Sequence, residues 1–319
     1  MYKLPLLLAS PSGNAARLSI LIFHRVLRSR DALFPEVPDA QSFAEQMSWV
    51  KRWFRVMPLE AAAEALFRGN LESRAIAITF DDGYADNLEV AAPILRSLGL
   101  PATVFVSTAY LDGAVMWNDR VIEALRACRL PELRLDAAGL GRHALASDSD
   151  RRAAIDQLLE RIKHRTSQER THAVDVIVEA AGVDPPAPLM MNRQQLRSLR
   201  DCGIAIGAHT VSHPILTKIP GAEALREMRE SKLTLEEILG QPVRAFAYPN
   251  GVPGQDYGAE HVQMAKECGF GCAVSTAWGA ASMRSDRFQL PRFTPWDRGQ
   301  LRFGARLLAN LRRQEERVA

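Results

Sequence analysis

Short apolar runs of strand character alternate with segments of helical period along most of this chain, and that alternation constrains the fold most. Residues 18–23 (LSILIF), 75–80 (AIAITF), 102–106 (ATVFV), 203–208, 243–248 and 271–275 are brief and rich in branched or small apolar residues, as buried strands are. Between them, residues 42–54 put Phe43, Met47, Val50 and Phe54 on one helical face, and residues 87–98 form a helix that Gly99 stops. Residues 222–239 and 260–268 also read as helices. Strands separated by helices imply an α/β fold with a parallel sheet, closed as a barrel or open and doubly wound. A chain of 319 residues is enough for one barrel-type domain, so 1–319 reads as a single domain with its core over 18–295.

Two stretches fall outside the alternation. Residues 111–188 are charged and helical in pattern, residues 147–181 hold no strand candidate, and the stretch ends at Pro185-Pro186-Ala187-Pro188. This reads as a helical insertion over one rim of the sheet, or a lid. The tail, residues 300–319, carries Leu301, Phe303, Leu307, Leu308 and Leu311 among arginines. Such a basic amphipathic helix packs on its own domain or lies weakly on an anionic membrane, and both readings stay open.

The bulk charge excludes one class of partner. Forty Lys and Arg against 37 Asp and Glu leave a net charge of +3, offset along most of the chain, which gives no case for nucleic-acid binding. Cys128, Cys202, Cys268 and Cys272 follow no disulfide framework, so free thiols in a reducing compartment are expected. The apolar run Leu4-Pro5-Leu6-Leu7-Leu8-Ala9 is too short to span a membrane and falls below the usual signal-peptide core of about 7–15 residues. A cytoplasmic location is the expectation, with the cell envelope as the alternative.

The chemistry sits in two segments. Thr79-Phe80-Asp81-Asp82-Gly83-Tyr84 places adjacent carboxylates where a strand gives way to a glycine turn, and His209-Thr210-Val211-Ser212-His213 places two imidazoles four residues apart after another strand. One carboxylate and two imidazoles are a common ligand set for a hydrolytic divalent metal with positions left open. A second carboxylate beside them can take a proton from water. Alone, an Asp-Asp-Gly is most often a turn cap; with the histidine pair it points to a metal-dependent hydrolase.

These two segments, in this order and each after a strand, resemble the signatures of the polysaccharide deacetylase family, whose members remove acetyl groups from amino sugars in polymers. The resemblance spans about residues 18–295 and implies an irregular (β/α) barrel, TIM-like, with parallel strands. It implies that Asp82, His209 and His213 bind the metal, that Asp81 is the general base, and that zinc is the expected ion, with cobalt, nickel or manganese as alternatives for the same ligands.

A third segment, Arg244-Ala245-Phe246-Ala247-Tyr248-Pro249-Asn250-Gly251, resembles the family's groove wall. It departs from it at Ala247, where many relatives carry an arginine that braces the catalytic aspartate. Arg244 and Arg292 are the candidates for that role, and Arg292 is also grouped with the substrate side. The backbone N–H of Tyr248 is the expected second oxyanion donor. Amide cleavage also needs an acid for the leaving amine. The family's C-terminal Leu-x-His is replaced here by Leu290-Pro291-Arg292, whereas His24 ends the first strand. The chain resembles the branch, including poly-N-acetylglucosamine deacetylases, in which this histidine lies near the N-terminus. On a barrel the first and last strands are neighbours, so His24 is assigned as general acid.

Trp117-Asn118-Asp119 and Trp296 are candidates to line the groove, and His143, His164, His172 and His261 are expected at the surface. The expected function is removal of N-acetyl groups from an exopolysaccharide or cell-envelope glycan. Two alternatives stay open: an amidase or deformylase acting on a small amide or imide with the same site, and a non-catalytic glycan-binding protein. A pocket closed by the insertion favours the small amide, and a long groove favours the polymer.

Overall fold

The computed structural model describes residues 2–184, 188–313 and 316–318; of the proline-rich end of the insertion, Pro185, Pro186 and Ala187 lie outside the described residues. In chain order the elements are α1 (Lys3–Ala9), β1 (Ser19–Phe23), α2 (Ala40–Trp53), β2 (Arg55–Val56), α3 (Leu59–Phe67), β3 (Ala75–Phe80), α4 (Ala92–Leu98) and β4 (Thr103–Val106). The insertion follows, with α5 (Trp117–Ala127), β5 (Glu132–Leu135), β6 (Gly141–Ala144), α6 (Asp148–Lys163) and α7 (Ser167–Ala181). The alternation then resumes through α8 (Arg193–Asp201), β7 (Ala205–Ala208), α9 (Gly221–Leu239), β8 (Ala245–Ala247), α10 (Ala259–Glu267), β9 (Cys272–Val274) and α11 (Gln300–Asn310).

The main sheet runs β1-β3-β4-β7-β8-β9, parallel throughout, with β2 added beside β3. It curls into an irregular barrel. The gap between the last and first strands is bridged by residues 290–293, where Leu290 pairs with Val274 and Phe293 with Leu21. A parallel sheet is covered on both faces, and the strands show it. Ala75, Ala77, Phe105, Ala245, Ala247, Cys272 and Val274 form one buried cluster with α3 residues inside the barrel. The alternate residues Ile76, Ile78, Val104, Val106, Phe246 and Ala273 pack outward against α2, α4, α8 and α9. This period of two decides which residues reach the barrel mouth.

Helix ends are set by local chemistry. Asp39 accepts from the Ser42 N–H in a capping box at α2, and Asn192 does the same with Gln195 at α8, each contributing about 1 kcal/mol. Residues 87–98 are helical as expected, but Asn87–Ala91 is a π-helical turn leading into α4.

One expectation needs correction, and one open choice is decided. The insertion is not wholly helical: β5 and β6 form an antiparallel hairpin, and Leu133, Leu135 and Leu140 pack with α5, α6 and α7 in a core of their own. Their alternation is brief and broken by charges, so the surrounding helical pattern hid it. The tail is settled by packing, because Phe303, Leu307 and Leu311 are buried in the main core, leaving Leu301 as the exposed large apolar residue of α11. The membrane reading of that helix lacks the apolar face it needs.

Candidate active site

Asp81 follows β3 with the parity of the inward-facing residues, and its N–H donates to the Phe23 carbonyl at 2.9 Å. Asp82 would point outward on an extended chain, but its φ of +75° turns the backbone and carries it to the mouth. Gly83 follows at φ +94°, where a Cβ would also crowd Val106 at 3.1 Å. On the other side of the mouth, Thr210 and His213 have φ of +65° and +56°. Left-handed backbone at non-glycine residues is held only where neighbours over-determine it. Here Glu227 of α9 does so, accepting from the N–H groups of Val211 and Ser212 at 2.8 Å each and from the Ser212 hydroxyl at 2.7 Å.

The loops bring Asp82, His209 and His213 together, with ligand atoms within 4.8 Å of one another. His209 Nε2 and His213 Nε2 each lie 3.5 Å from Asp82 Oδ1, and that oxygen is buried without a hydrogen-bond partner among the described residues. His209 Nδ1 sits 2.7 Å from the Ala247 carbonyl, which can only accept, so Nδ1 carries the hydrogen and Nε2 faces Asp82 with its lone pair when the ring is neutral. An orphaned carboxylate oxygen facing two imidazole nitrogens fits a divalent cation held by one oxygen and two nitrogens.

The electrostatics follow from burial and neighbours. Burial pushes Asp82 up, but contact with His209 and the nearby His213 and His24 outweigh it and hold the carboxyl below its ordinary range. Burial pushes His213 down to about 4, which favours the neutral, ligating form.

Asp81 stands beside this group, with Oδ2 4.0 Å from His209 Nε2. Its partner is Arg292, which donates from Nη1 to Oδ1 and from Nη2 to Oδ2 at 2.7 Å each. The guanidinium is also tied to the Ser275 carbonyl at 2.8 Å and the Thr79 hydroxyl at 3.3 Å. Burial, the largest influence, pushes Asp81 up, but the charge and hydrogen bonds of Arg292 together with the nearby His209 and His24 outweigh it, so the carboxyl lies below its ordinary value.

Three sequence expectations change here. Arg292 is the brace of Asp81; with no exposed surface and its donors engaged, it does not face substrate. Arg244 is exposed and takes no part. The Tyr248 N–H is not free for an oxyanion, because it donates to the Val274 carbonyl at 3.2 Å within the sheet. The Tyr248 ring is buried against Tyr257, with centroids 3.9 Å apart.

The mouth opens into a cavity of about 550 Å³ lined by Asp81, Asp82, His209, His213 and His24, and by Trp117, Asn118, Asp119 and Trp296. His24 is exposed at the end of β1. Leu159, Lys163 and Arg170 of the insertion form another wall. Of the remaining histidines, His164 and His172 are exposed, whereas His143 and His261 are buried. His143 bonds the Leu140 carbonyl and His261 Nδ1 accepts the Gly258 N–H, so both are internal fasteners rather than surface residues.

Sequence reasoning missed Glu227, whose signal, an acid in the middle of a helix, is common. It also missed the Tyr84–Asp119 contact, in which the hydroxyl lies 3.2 and 3.0 Å from the two carboxylate oxygens. Burial pushes the Asp119 carboxyl up to about 7.

An irregular barrel of parallel strands carrying an Asp-Asp-Gly turn and a histidine pair at its mouth defines a class of hydrolase. The profile of the polysaccharide deacetylase family matches residues 68–273, more than half of the chain. The chain belongs to the polysaccharide deacetylase family, hydrolases acting on carbon–nitrogen bonds other than peptide bonds. It is 22% identical over 279 residues to YxkH of Bacillus subtilis, whose name assigns it to the polysaccharide deacetylases, covering 87% of this chain and 71% of that one. The deacetylase PplD of Streptococcus pyogenes, solved in complex with acetate, shares the fold at a TM-score of 0.61 and 19% identity, over 93% of this chain and 98% of that one. IcaB of Ammonifex degensii does so at 0.58 and 17% identity, over 95% and 99%. The family match includes Asp81, Asp82, His209 and His213 but neither His24 nor Arg292, so the fold alone brings those two to the site.

Proposed function

We propose that this protein is a metal-dependent deacetylase that removes N-acetyl groups from amino sugars of an exopolysaccharide or cell-envelope glycan, as one domain over residues 1–319. The observation that carries the reading is the division of labour between the paired carboxylates: Asp82 faces two imidazoles, while Asp81 is held apart by Arg292. Asp82, His209 and His213 would hold the cation, with zinc the expected one. The chemistry a divalent cation supplies in such a site is Lewis acidity toward water and toward an amide carbonyl.

The chain's own residues supply the rest. Asp81, kept ionised and oriented by Arg292, accepts a proton from water as the water oxygen bonds to the acetyl carbon. His24, on the same cavity, donates a proton to the sugar nitrogen as the carbon–nitrogen bond breaks, releasing acetate and the free amine. The place of His24 at the end of β1 supports membership of the branch with the N-terminal histidine.

One observation favours a second reading. The insertion walls a cavity whose volume of about 550 Å³ lies in the small-ligand range, which suits a small amide or a short glycan end better than a long chain. The discriminating experiment is acetate release from N-acetylglucosamine oligomers by metal-stripped and zinc-reloaded protein, beside Asp81→Asn. Release that requires zinc and is lost in Asp81→Asn with zinc still bound is the expected result. Tight zinc binding without release from any oligomer would overturn the glycan reading and point to small amides.

A further inference from the structure

Asp119 is an active-site carboxylate with more hydrogen-bonding capacity than the protein fills. It is 4% exposed, yet lines the cavity with the catalytic group. Its side-chain hydrogen-bond partner among the described residues is the Tyr84 hydroxyl, which approaches both oxygens. A hydroxyl has one proton to give, whereas a carboxylate has about four acceptor positions. Leaving such a group unsatisfied in a buried place is unfavourable. A donor arriving through the cavity would complete it.

Arg25 shows the opposite deficit next door. Its Nε donates to Asp86 at 2.8 Å and its guanidinium lies over the Tyr84 ring, 4.8 Å from the centroid. Its terminal nitrogens have no hydrogen-bond partner among the described residues, and it too lines the cavity. Tyr84 thus has a carboxylate short of donors at its hydroxyl and a cation short of acceptors over its face. An ammonium ligand would satisfy Asp119 but be repelled by Arg25, and an anion would suffer the reverse. A pair of neighbouring hydroxyls suits both, one donating to Asp119 and the other accepting from Arg25.

We infer that Asp119 and Arg25 form a specificity subsite that grips two adjacent hydroxyls of the sugar ring undergoing deacetylation. This rests on the deacetylase reading above and deepens it: the substrate unit must carry a free vicinal diol, so an N-acetylhexosamine substituted at those positions is refused.

The experiment compares kcat/KM for acetate release from N-acetylglucosamine oligomers and from analogues lacking the 3-, 4- or 6-hydroxyl on the reacting unit. It uses the zinc-loaded wild type, Asp119→Ala, Asp119→Asn and Tyr84→Phe. In the wild type, loss of one hydroxyl of the adjacent pair is expected to lower kcat/KM about 10- to 100-fold, as for a hydrogen bond to a charged group. In Asp119→Ala the penalty for the hydroxyl that donates to Asp119 should shrink to within about twofold, because the parent has already lost that contact, while the penalty for its Arg25-bound neighbour persists and Tyr84→Phe keeps both. If Asp119 only fastens Tyr84, Tyr84→Phe will match Asp119→Ala on every substrate, and the subsite is refuted. A wild type indifferent to every deoxy analogue refutes it without any variant, so poor folding of Asp119→Ala cannot shelter it; Asp119→Asn, nearly the same shape, gives the second check. Absence of release from the parent oligomer as well marks failure of the deacetylase reading itself and takes the subsite with it.

Discussion

Arg292 meets Asp81 through two parallel hydrogen bonds of 2.7 Å, and the two residues are 211 positions apart in the chain. Asp81 directly follows the third strand, and Arg292 lies in the segment that closes the barrel between Val274 and Leu21. Closure of the barrel and orientation of the proposed base are therefore one structural event.

The first prediction tests that coupling. Arg292→Met leaves a buried, unpaired carboxylate and should destabilise the protein by about 3–5 kcal/mol. Asp81→Asn added to it should recover part of that loss, since the amide needs no counter-charge. Arg292→Lys keeps the charge but not the planar fork, and misplacing the base should lower kcat about 100-fold. Urea unfolding and zinc-loaded acetate release read the two effects. Equal stability of Arg292→Met and wild type would end the idea.

Much of this site is legible from residue order, and the rest is not, for physical reasons. The Asp81-Asp82-Gly83 turn and the His209/His213 pair are local, each fixed by a strand end and a few residues of turn, so their pattern survives in one dimension. The strands themselves are readable because both of their faces are buried. The brace is a long-range pairing, and two arginines, Arg244 and Arg292, compete on sequence grounds; only the path of residues 290–293 decides between them. The Tyr248 N–H fails as an oxyanion donor for a related reason, since a sequence does not tell which sheet amides are already bonded to a neighbouring strand. His143 and His261 look like surface residues because their hosts are polar, yet each meets a backbone partner that no periodicity reveals.

Glu227 gives a second prediction. It holds the His209–His213 loop through two backbone N–H groups and a hydroxyl, without itself belonging to the proposed ligand set. Glu227→Gln keeps the shape, and its one oxygen can still accept from both N–H groups, but the negative charge is lost and the amide nitrogen now faces the Ser212 hydroxyl, which can no longer donate there. Outer partners of a metal site are typically worth about 10- to 100-fold in affinity, so zinc affinity should drop by about tenfold or more, with the fold intact by circular dichroism. Unchanged affinity in a competition titration would show that the loop holds its shape unaided.

The third prediction concerns acid. Asp31, on the cavity wall, receives Arg126 Nη1 and Nη2 at 3.0 and 2.7 Å, joining the N-terminal loop to the insertion. That hydrogen bonding, the largest influence, holds the Asp31 carboxyl below its ordinary 3.8. A carboxyl depressed in the folded state contributes stability above its unfolded pKa and loses it as pH falls through the folded value. The pair is partly exposed and screened, so its worth is within about 1 kcal/mol. Unfolding midpoints of wild type and Asp31→Asn should therefore differ at pH 5–7 and converge as pH drops below about 3.8. A gap that persists in acid would mean that the asparagine disturbs packing rather than charge.

The last prediction concerns the floor of the site. Gly207 pairs with Phe105 across β4 and β7, and a Cβ at 207 would lie 2.4 Å from the Phe105 ring and 3.0 Å from the Ala245 carbonyl. Phe105 has no exposed surface and lies beneath Arg292, whose guanidinium carbon is 5.7 Å from the ring centroid. Gly207→Ala must therefore push the ring toward the Arg292–Asp81 pair or part the strands. Overpacking of this kind costs about 1–3 kcal/mol, and because the strain is delivered under the brace, activity should fall along with stability. Gly271→Ala is the control, since its nearest neighbours would be 3.5 Å away, an ordinary contact that should leave stability nearly unchanged. Phe105→Leu combined with Gly207→Ala should recover stability by making room. If urea unfolding finds Gly207→Ala as stable as Gly271→Ala, the barrel interior has slack, and the site does not depend on tight packing beneath Arg292.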